Sequence, residues 1–206
     1  MIPHKTPTIF QYLFPQYLWK KKTEDKVIYL TFDDGPIPEV TPWVLNCLRD
    51  YNAKATFFCI GDNVRKYPDV FHSVVHAGHA IGNHTFHHFN GKSTADKEYL
   101  SSVVSCDKEF EKQNVKTHLF RPPYGRLKAS QRKALPEREI IMWSVLSKDY
   151  LKSLKSDEIL KASIQATEKG SIIVFHDSQK AFFNLSKVLP SYMKHFHQLG
   201  FRFDKL

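Results

Sequence analysis

The sequence predicts an α/β protein and, within that class, a (β/α) barrel. Two observations lead there. From Lys26 onward, strand-like runs alternate with helix-like segments, and polar signatures recur just after several different strands. Alternation of this kind implies parallel strands covered by helices, and barrel enzymes build their sites from strand-end loops. An open doubly wound sheet would also fit the alternation, but no glycine-rich phosphate fingerprint supports its nucleotide-binding version.

The strands expected, in order, are 27–32, 55–60, 80–82, 118–120, 140–146, 171–175 and 201–205. The first helix between them is marked by Thr41-Pro42, an N-cap followed by proline at the first helical position. After it, Val44, Cys47, Leu48 and Tyr51 recur at helical spacing. Ser93 with Asp96 reads as a capping box before Leu100, Val103 and Val104. Ser156 opens a helix ending near Gly170. Leu185, Val188, Leu189, Tyr192, Met193, Phe196 and Leu199 form a last amphipathic helix stopped by Gly200. Residues 1–24 read as an extension in which Ile9, Leu13, Tyr17 and Leu18 line one face of a short helix packed across the domain end.

A chain of 206 residues fits one domain, and 42% hydrophobic content with 16 Phe is enough for a sizeable core. The formal charge of +9 is scattered apart from Lys20-Lys21-Lys22, so a solvated basic surface is expected and no nucleic-acid module is present. Three cysteines, Cys47, Cys59 and Cys106, without a C-x-x-C pair, argue against a disulfide framework and against a cysteine zinc site. No run is long enough to span a membrane. The N-terminus lacks the apolar core and cleavage site of a signal peptide. The expectation is a cytoplasmic monomer, or an extracytoplasmic protein if a leader precedes Met1.

Four segments carry chemistry. Thr31-Phe32-Asp33-Asp34-Gly35-Pro36 places two adjacent carboxylates at a strand end, where one acid can hold a metal while the other works as a base. His84-Thr85-Phe86-His87-His88 spaces two imidazoles four residues apart, on one face if the segment makes a helical turn. Two imidazoles and one carboxylate leave a fourth position open for water, the pattern of a catalytic zinc site; Asp34, His84 and His88 are the expected ligands. His72 and His76 share the spacing but face away from the apolar side of their helix, His79 reads as a packed or capping residue, and His87 points elsewhere.

In Arg121-Pro122-Pro123-Tyr124-Gly125 the prolines fix the backbone and leave the Tyr124 N–H as a held donor for an oxyanion. Arg121 is suited to orienting a carboxylate in a two-pronged grip. The apolar run 171–175 ends at His176-Asp177, a histidine at the rim of a low-dielectric core and a candidate proton donor. Between these lie Asp149, a supporting carboxylate, and Tyr150, a groove wall.

With these segments in order, the sequence resembles the polysaccharide deacetylases of carbohydrate esterase family 4, the NodB-homology domain. TFDDGP (31–36), HTFHH (84–88), RPPYG (121–125) and the run ending at His176-Asp177 stand where four family motifs are expected. The fourth motif in order departs from the pattern: Asp149-Tyr150 are present, but Leu146 replaces a frequent aspartate and Leu151 a frequent asparagine. The match runs from Lys26 to Leu206, so residues 25–206 would be the catalytic domain, folded as a distorted (β/α) barrel of seven or eight strands. The resemblance implies metal-dependent removal of N-acetyl groups from a chitin-oligomer or peptidoglycan-type glycan, with Zn²⁺ or another divalent ion such as Co²⁺. Asp33 would be the base oriented by Arg121, and His176 the acid oriented by Asp149 or Asp177. The Tyr124 N–H beside Pro123 would meet the oxyanion, and Val174 would line the acetyl pocket. An O-acetyl xylan esterase and an inactive glycan-binding module are the rival readings.

Overall fold

The structure, a computed structural model, describes residues 3–206. Eight strands are present: β1 Val27–Asp33, β2 Thr56–Cys59, β3 Ala80–Asn83, β4 Leu119–Phe120, β5 Glu139–Ile140, β6 Val145–Leu146, β7 Ile172–His176 and β8 Arg202–Asp204. The helices are α1 Thr8–Leu13, α2 Val40–Arg49, α3 Gly61–Lys66, α4 Pro68–His76, α5 Asp96–Lys112, α6 Ala129–Lys133, α7 Ser156–Ala166 and α8 Gln179–Gln198. All strand pairs are parallel, in the order β5-β4-β3-β2-β1-β7-β6, with β8 beside the first half of β1. The sheet curls into an incomplete barrel, as the alternation and the resemblance imply.

β1 is central, and six of its seven residues are buried, which is why it reads as a nearly continuous apolar run rather than an alternating one. Phe32 stacks on Phe57 of β2 at 5.0 Å and on Phe175 of β7 at 6.1 Å, joining three neighbouring strands into one core. α8 covers this core with Leu185, Val188, Leu189, Tyr192, Met193 and Phe196, all buried.

Four expectations are revised. The run 140–146 is two short strands rather than one, because it crosses the gap in the barrel: β5 pairs with β4 and β6 with β7. Thr41 lies inside α2, not at its cap. Its hydroxyl accepts the Ile37 N–H at 2.9 Å and donates to Asp177 at 2.6 Å. Ser93 does not cap α5. Asp96 is that helix's first residue and receives Gln131 Nε2 at 3.1 Å. On α1, Ile9 and Leu13 are not packed but 58% and 61% exposed.

The extension is held instead by its backbone. Leu18 bridges to Ile141 beyond β5 and Lys5 to Val145 of β6, so this segment spans the opening between the two edge strands. Buried Trp19 packs beside it.

Candidate active site

The chemistry-bearing residues all stand at the C-terminal rim of the sheet. Asp33 is the last residue of β1 and His176 the last of β7, and they are direct partners in the parallel ladder. Alternation along a strand would send Asp34 to the opposite face. Its backbone at φ 83° leaves the strand in a left-handed turn, and both carboxylates then reach the same rim. Gly35 follows, packed so closely on Asp177 that its N–H donates to that carboxylate at 3.0 Å.

His84 and His88 also converge, though not through a helical turn. Residues 84–88 form a loop with Thr85 and His88 at positive φ, and the rings end 5.1 Å apart. The loop is set by Asn83, whose Oδ1 accepts the Thr85 N–H at 2.8 Å while its Nδ2 donates to Val103 O and Asp107. Sequence reasoning passed over Asn83. An asparagine at a strand end followed by a turn was the available signal, since Asn bonds its own backbone two residues on.

One ligand atom each of Asp34, His84 and His88 lies within 4.8 Å of the others, and this is the metal-capable cluster found among the described residues. His88 Nε2 is 3.3 Å and His84 Nε2 3.9 Å from Asp34 Oδ1. The protonation states suit a divalent cation. Burial lowers the His84 pKa to about 4, so its ring is neutral. Its Nδ1 proton goes to the Arg121 carbonyl at 2.7 Å, which leaves Nε2 as a lone-pair donor. Burial alone would raise Asp34, but the His88 hydrogen bond and the surrounding imidazoles hold it below the usual carboxylate range. These residues fit a divalent metal ion. His72 and His76, on α4, lie outside this cluster. His87 stacks on Phe89 at 4.9 Å, and His79 is buried, accepting the Ala55 N–H.

Arg121 is fully buried over the face of Phe58. Its grip on Asp33 is single rather than two-pronged: only Nη1 meets Asp33 Oδ1, at 2.7 Å. Nη1 also reaches Thr31 Oγ1, while Nε and Nη2 donate to the carbonyls of Ile141 and Met142. The guanidinium therefore ties the base position to the backbone that crosses the barrel opening. Pro123 is buried, and Tyr124 sits at φ 60° with its ring 4.7 Å from His88.

His176 Nδ1 is 2.7 Å from Asp149 Oδ1, and the other oxygen of Asp149 accepts the His176 backbone N–H at 2.8 Å. Burial would lower the His176 pKa, but the Asp149 carboxylate beside it prevails and holds it up at about 9. Asp177 does not share this task. It points the other way, to Thr41 and Gly35, and burial pushes its carboxyl up to about 8. Tyr150 stands edge-on to His176 at 4.9 Å, and Val174 is buried one alternation before it on β7.

A parallel, incomplete barrel with an Asp-His-His cluster between a held aspartate and a held histidine defines a class, the metal-dependent hydrolases built on a NodB-type fold. Residues 20–140 match the family model for polysaccharide deacetylases. The chain belongs to that family. It is 33% identical over 193 residues to a peptidoglycan-N-acetylglucosamine deacetylase of Bacillus cereus, covering 90% of this chain and 88% of that one. It is 36% identical over 155 residues to a chitooligosaccharide deacetylase of Azorhizobium caulinodans, covering 73% of each. A solved peptidoglycan N-acetylglucosamine deacetylase, in complex with 4-naphthalen-1-yl-N-oxidanyl-benzamide, superposes with a TM-score of 0.88 at 29% identity, over 97% of this chain and 95% of that one.

Proposed function

We propose that the protein is a Zn²⁺-dependent deacetylase that removes N-acetyl groups from amino sugars of a peptidoglycan or chitin-oligomer glycan, releasing acetate. The observation that carries this reading is the placement of Asp33 and His176 as ladder partners beside the Asp34–His84–His88 cluster. Two imidazoles and one carboxylate with an open position are the donor set of catalytic zinc. When bound, the ion supplies Lewis-acid polarisation of the acetamide carbonyl and acidifies a water. No helix among the described residues is long and apolar enough to cross a membrane.

The chain's own residues divide the remaining work. Asp33, fixed by Arg121 at 2.7 Å, takes the proton of the attacking water as general base. The Tyr124 N–H follows Pro122 and Pro123 and, among the described residues, meets no acceptor, which leaves it free to donate to the oxygen that gains charge. His176 enters the reaction protonated, with Nδ1 committed to Asp149, and delivers its Nε2 proton to the departing amine. Val174 and Tyr150 wall the acetyl side of the groove.

The test is acetate release from N-acetylglucosamine oligomers, peptidoglycan fragments and acetylated xylan. The metal-stripped protein is assayed with and without Zn²⁺ or Co²⁺. Metal-dependent release from amino sugars supports the reading. Release from xylan alone would make the protein an esterase, and tight metal binding with no release from any of the three would turn it into a binding module.

A further inference from the structure

At the end of the sheet opposite to Asp33 and His176, where the parallel strands begin, lies an open cavity of about 420 Å³. Its volume falls within the roughly 300–1,000 Å³ span of ligand pockets. Arg49 is the last residue of α2, Lys54 precedes β2 and His79 precedes β3; with Asn46 they bring polar groups to its wall. Among the described residues no carboxylate lines it. A second cavity, of about 490 Å³, shares Asn52 and Lys54 with it and adds Arg202 and a single carboxylate, Asp204. None of these groups takes part in the chemistry at the other rim.

His79 is only 8% exposed, yet its hydrogen bonding is incomplete. Nδ1 accepts the Ala55 N–H at 3.2 Å, which fixes the ring proton on Nε2. That Nε2–H has no acceptor among the described residues, and the ring lines the cavity. Only water or a ligand entering there can satisfy it. Burial, with Lys54 and Lys205 nearby, lowers the His79 pKa to about 4, so the ring meets a ligand as a neutral donor.

Charge decides the sign of that ligand. α2 and α4 both end at the cavity, and each helix end contributes about half a negative charge. Lys54 donates to the Ala77 carbonyl at 2.6 Å and Lys205 to the Gly78 carbonyl at 2.9 Å, which offsets the end of α4. Arg49, in the last turn of α2, has no carboxylate beside it in this wall. The cations prevail, and the cavity favours an anion.

We propose that this cavity binds the phosphate group of a small phosphorylated ligand, held by Arg49 and by the His79 Nε2–H. The site is remote from the metal cluster and does not depend on the deacetylase reading. The guanidinium of Arg49 is a planar fork that matches phosphate oxygens. A phosphate offers three strong acceptor oxygens, enough for guanidinium, imidazole and ammonium together. Lys54 can join them, because an ammonium carries three donors and only one is given to Ala77. The adjoining cavity leaves space for the rest of the ligand.

The experiment is isothermal titration of the full chain, without added metal, with inorganic pyrophosphate and with phenyl phosphate. Arg49→Ala, His79→Asn and the control Arg65→Ala are titrated beside the wild type. Asn places its side-chain oxygen where Nδ1 accepts the Ala55 N–H, so His79→Asn removes only the Nε2–H. Arg65→Ala deletes the same charge elsewhere, on α3, where Arg65 pairs with Asp62 at 2.7 Å. The wild type should bind at least one probe, and the tighter one tells a free diphosphate from an organic ester. Arg49→Ala and His79→Asn should each weaken that binding about tenfold or more, the effect of losing one hydrogen bond to a charged group. Arg65→Ala should match the wild type. Binding of neither probe, unchanged affinity in Arg49→Ala, or an equal loss in Arg65→Ala would overturn the site. So would binding seen only with Zn²⁺, which would place the anion on the metal cluster. Should His79→Asn fail to fold, Arg49 is exposed and its variant carries the test alone.

Discussion

His84 gives its Nδ1 proton to the backbone carbonyl of Arg121 at 2.7 Å, and the side chain of the same arginine holds Asp33 at 2.7 Å. One residue thus sets the His84 ring with its main chain and the Asp33 carboxylate with its guanidinium. The two functions are separable, because substitution removes only the second.

Arg121→Lys keeps a charge but loses the planar fork to Thr31, Ile141 and Met142. Activity should fall about 10²-fold or more while zinc affinity, read by isothermal titration, changes little. Arg121→Ala leaves Asp33 as an unpaired buried charge and should destabilise the fold by about 3–5 kcal/mol in urea melts.

Asp33→Asn should cost about 10²–10⁴-fold in turnover and still bind zinc. His84→Ala should lose metal and turnover together. Near-normal rates in Asp33→Asn would remove the base assignment. Chelation of the wild type should abolish acetate release and lower the melting temperature, because the ion binds only the folded cluster.

His176 must be protonated to act as the acid, so kcat/KM should decline as pH rises through about 9. The same shift bears on stability. A histidine pKa raised above 6.5 contributes stability that is complete below 6.5 and is lost as pH climbs through about 9. Asp149→Asn removes the carboxylate that holds the pKa up, so the alkaline limb should move to lower pH, which a pH–rate profile would show.

Gly35→Ala would drive a Cβ onto the Asp177 carboxylate, which is already anchored by Thr41. The turn that re-aims Asp34 should be displaced, with an overpacking loss of about 1–3 kcal/mol and weaker zinc binding. Thermal melts with and without zinc would separate the two effects.

The strand run of β1, the helix stripes of α4 and α8 and the side chains of the Asp34–His84–His88 cluster were legible in the sequence, because apolar periodicity and residue type are local properties. The barrel opening was not. Nothing local in 140–146 marks where one edge strand ends and the other begins; the pairing of Leu18 with Ile141 and Lys5 with Val145 does. Thr41 likewise carries the signature of a cap, and only the approach of β7 turned its hydroxyl to Asp177.

By itself the sequence determined the family, the alternation of strands and helices and the identity of the chemistry-bearing side chains, since each motif is contiguous and its residue types dictate its chemistry. Tertiary structure alone decided which carboxylate serves which partner. Asp149 and Asp177 are equally plausible partners for His176 in one dimension. The choice went to Asp149 because His176 closes β7 with its ring toward the rim, while the next residue alternates to the opposite side and is met there by α2.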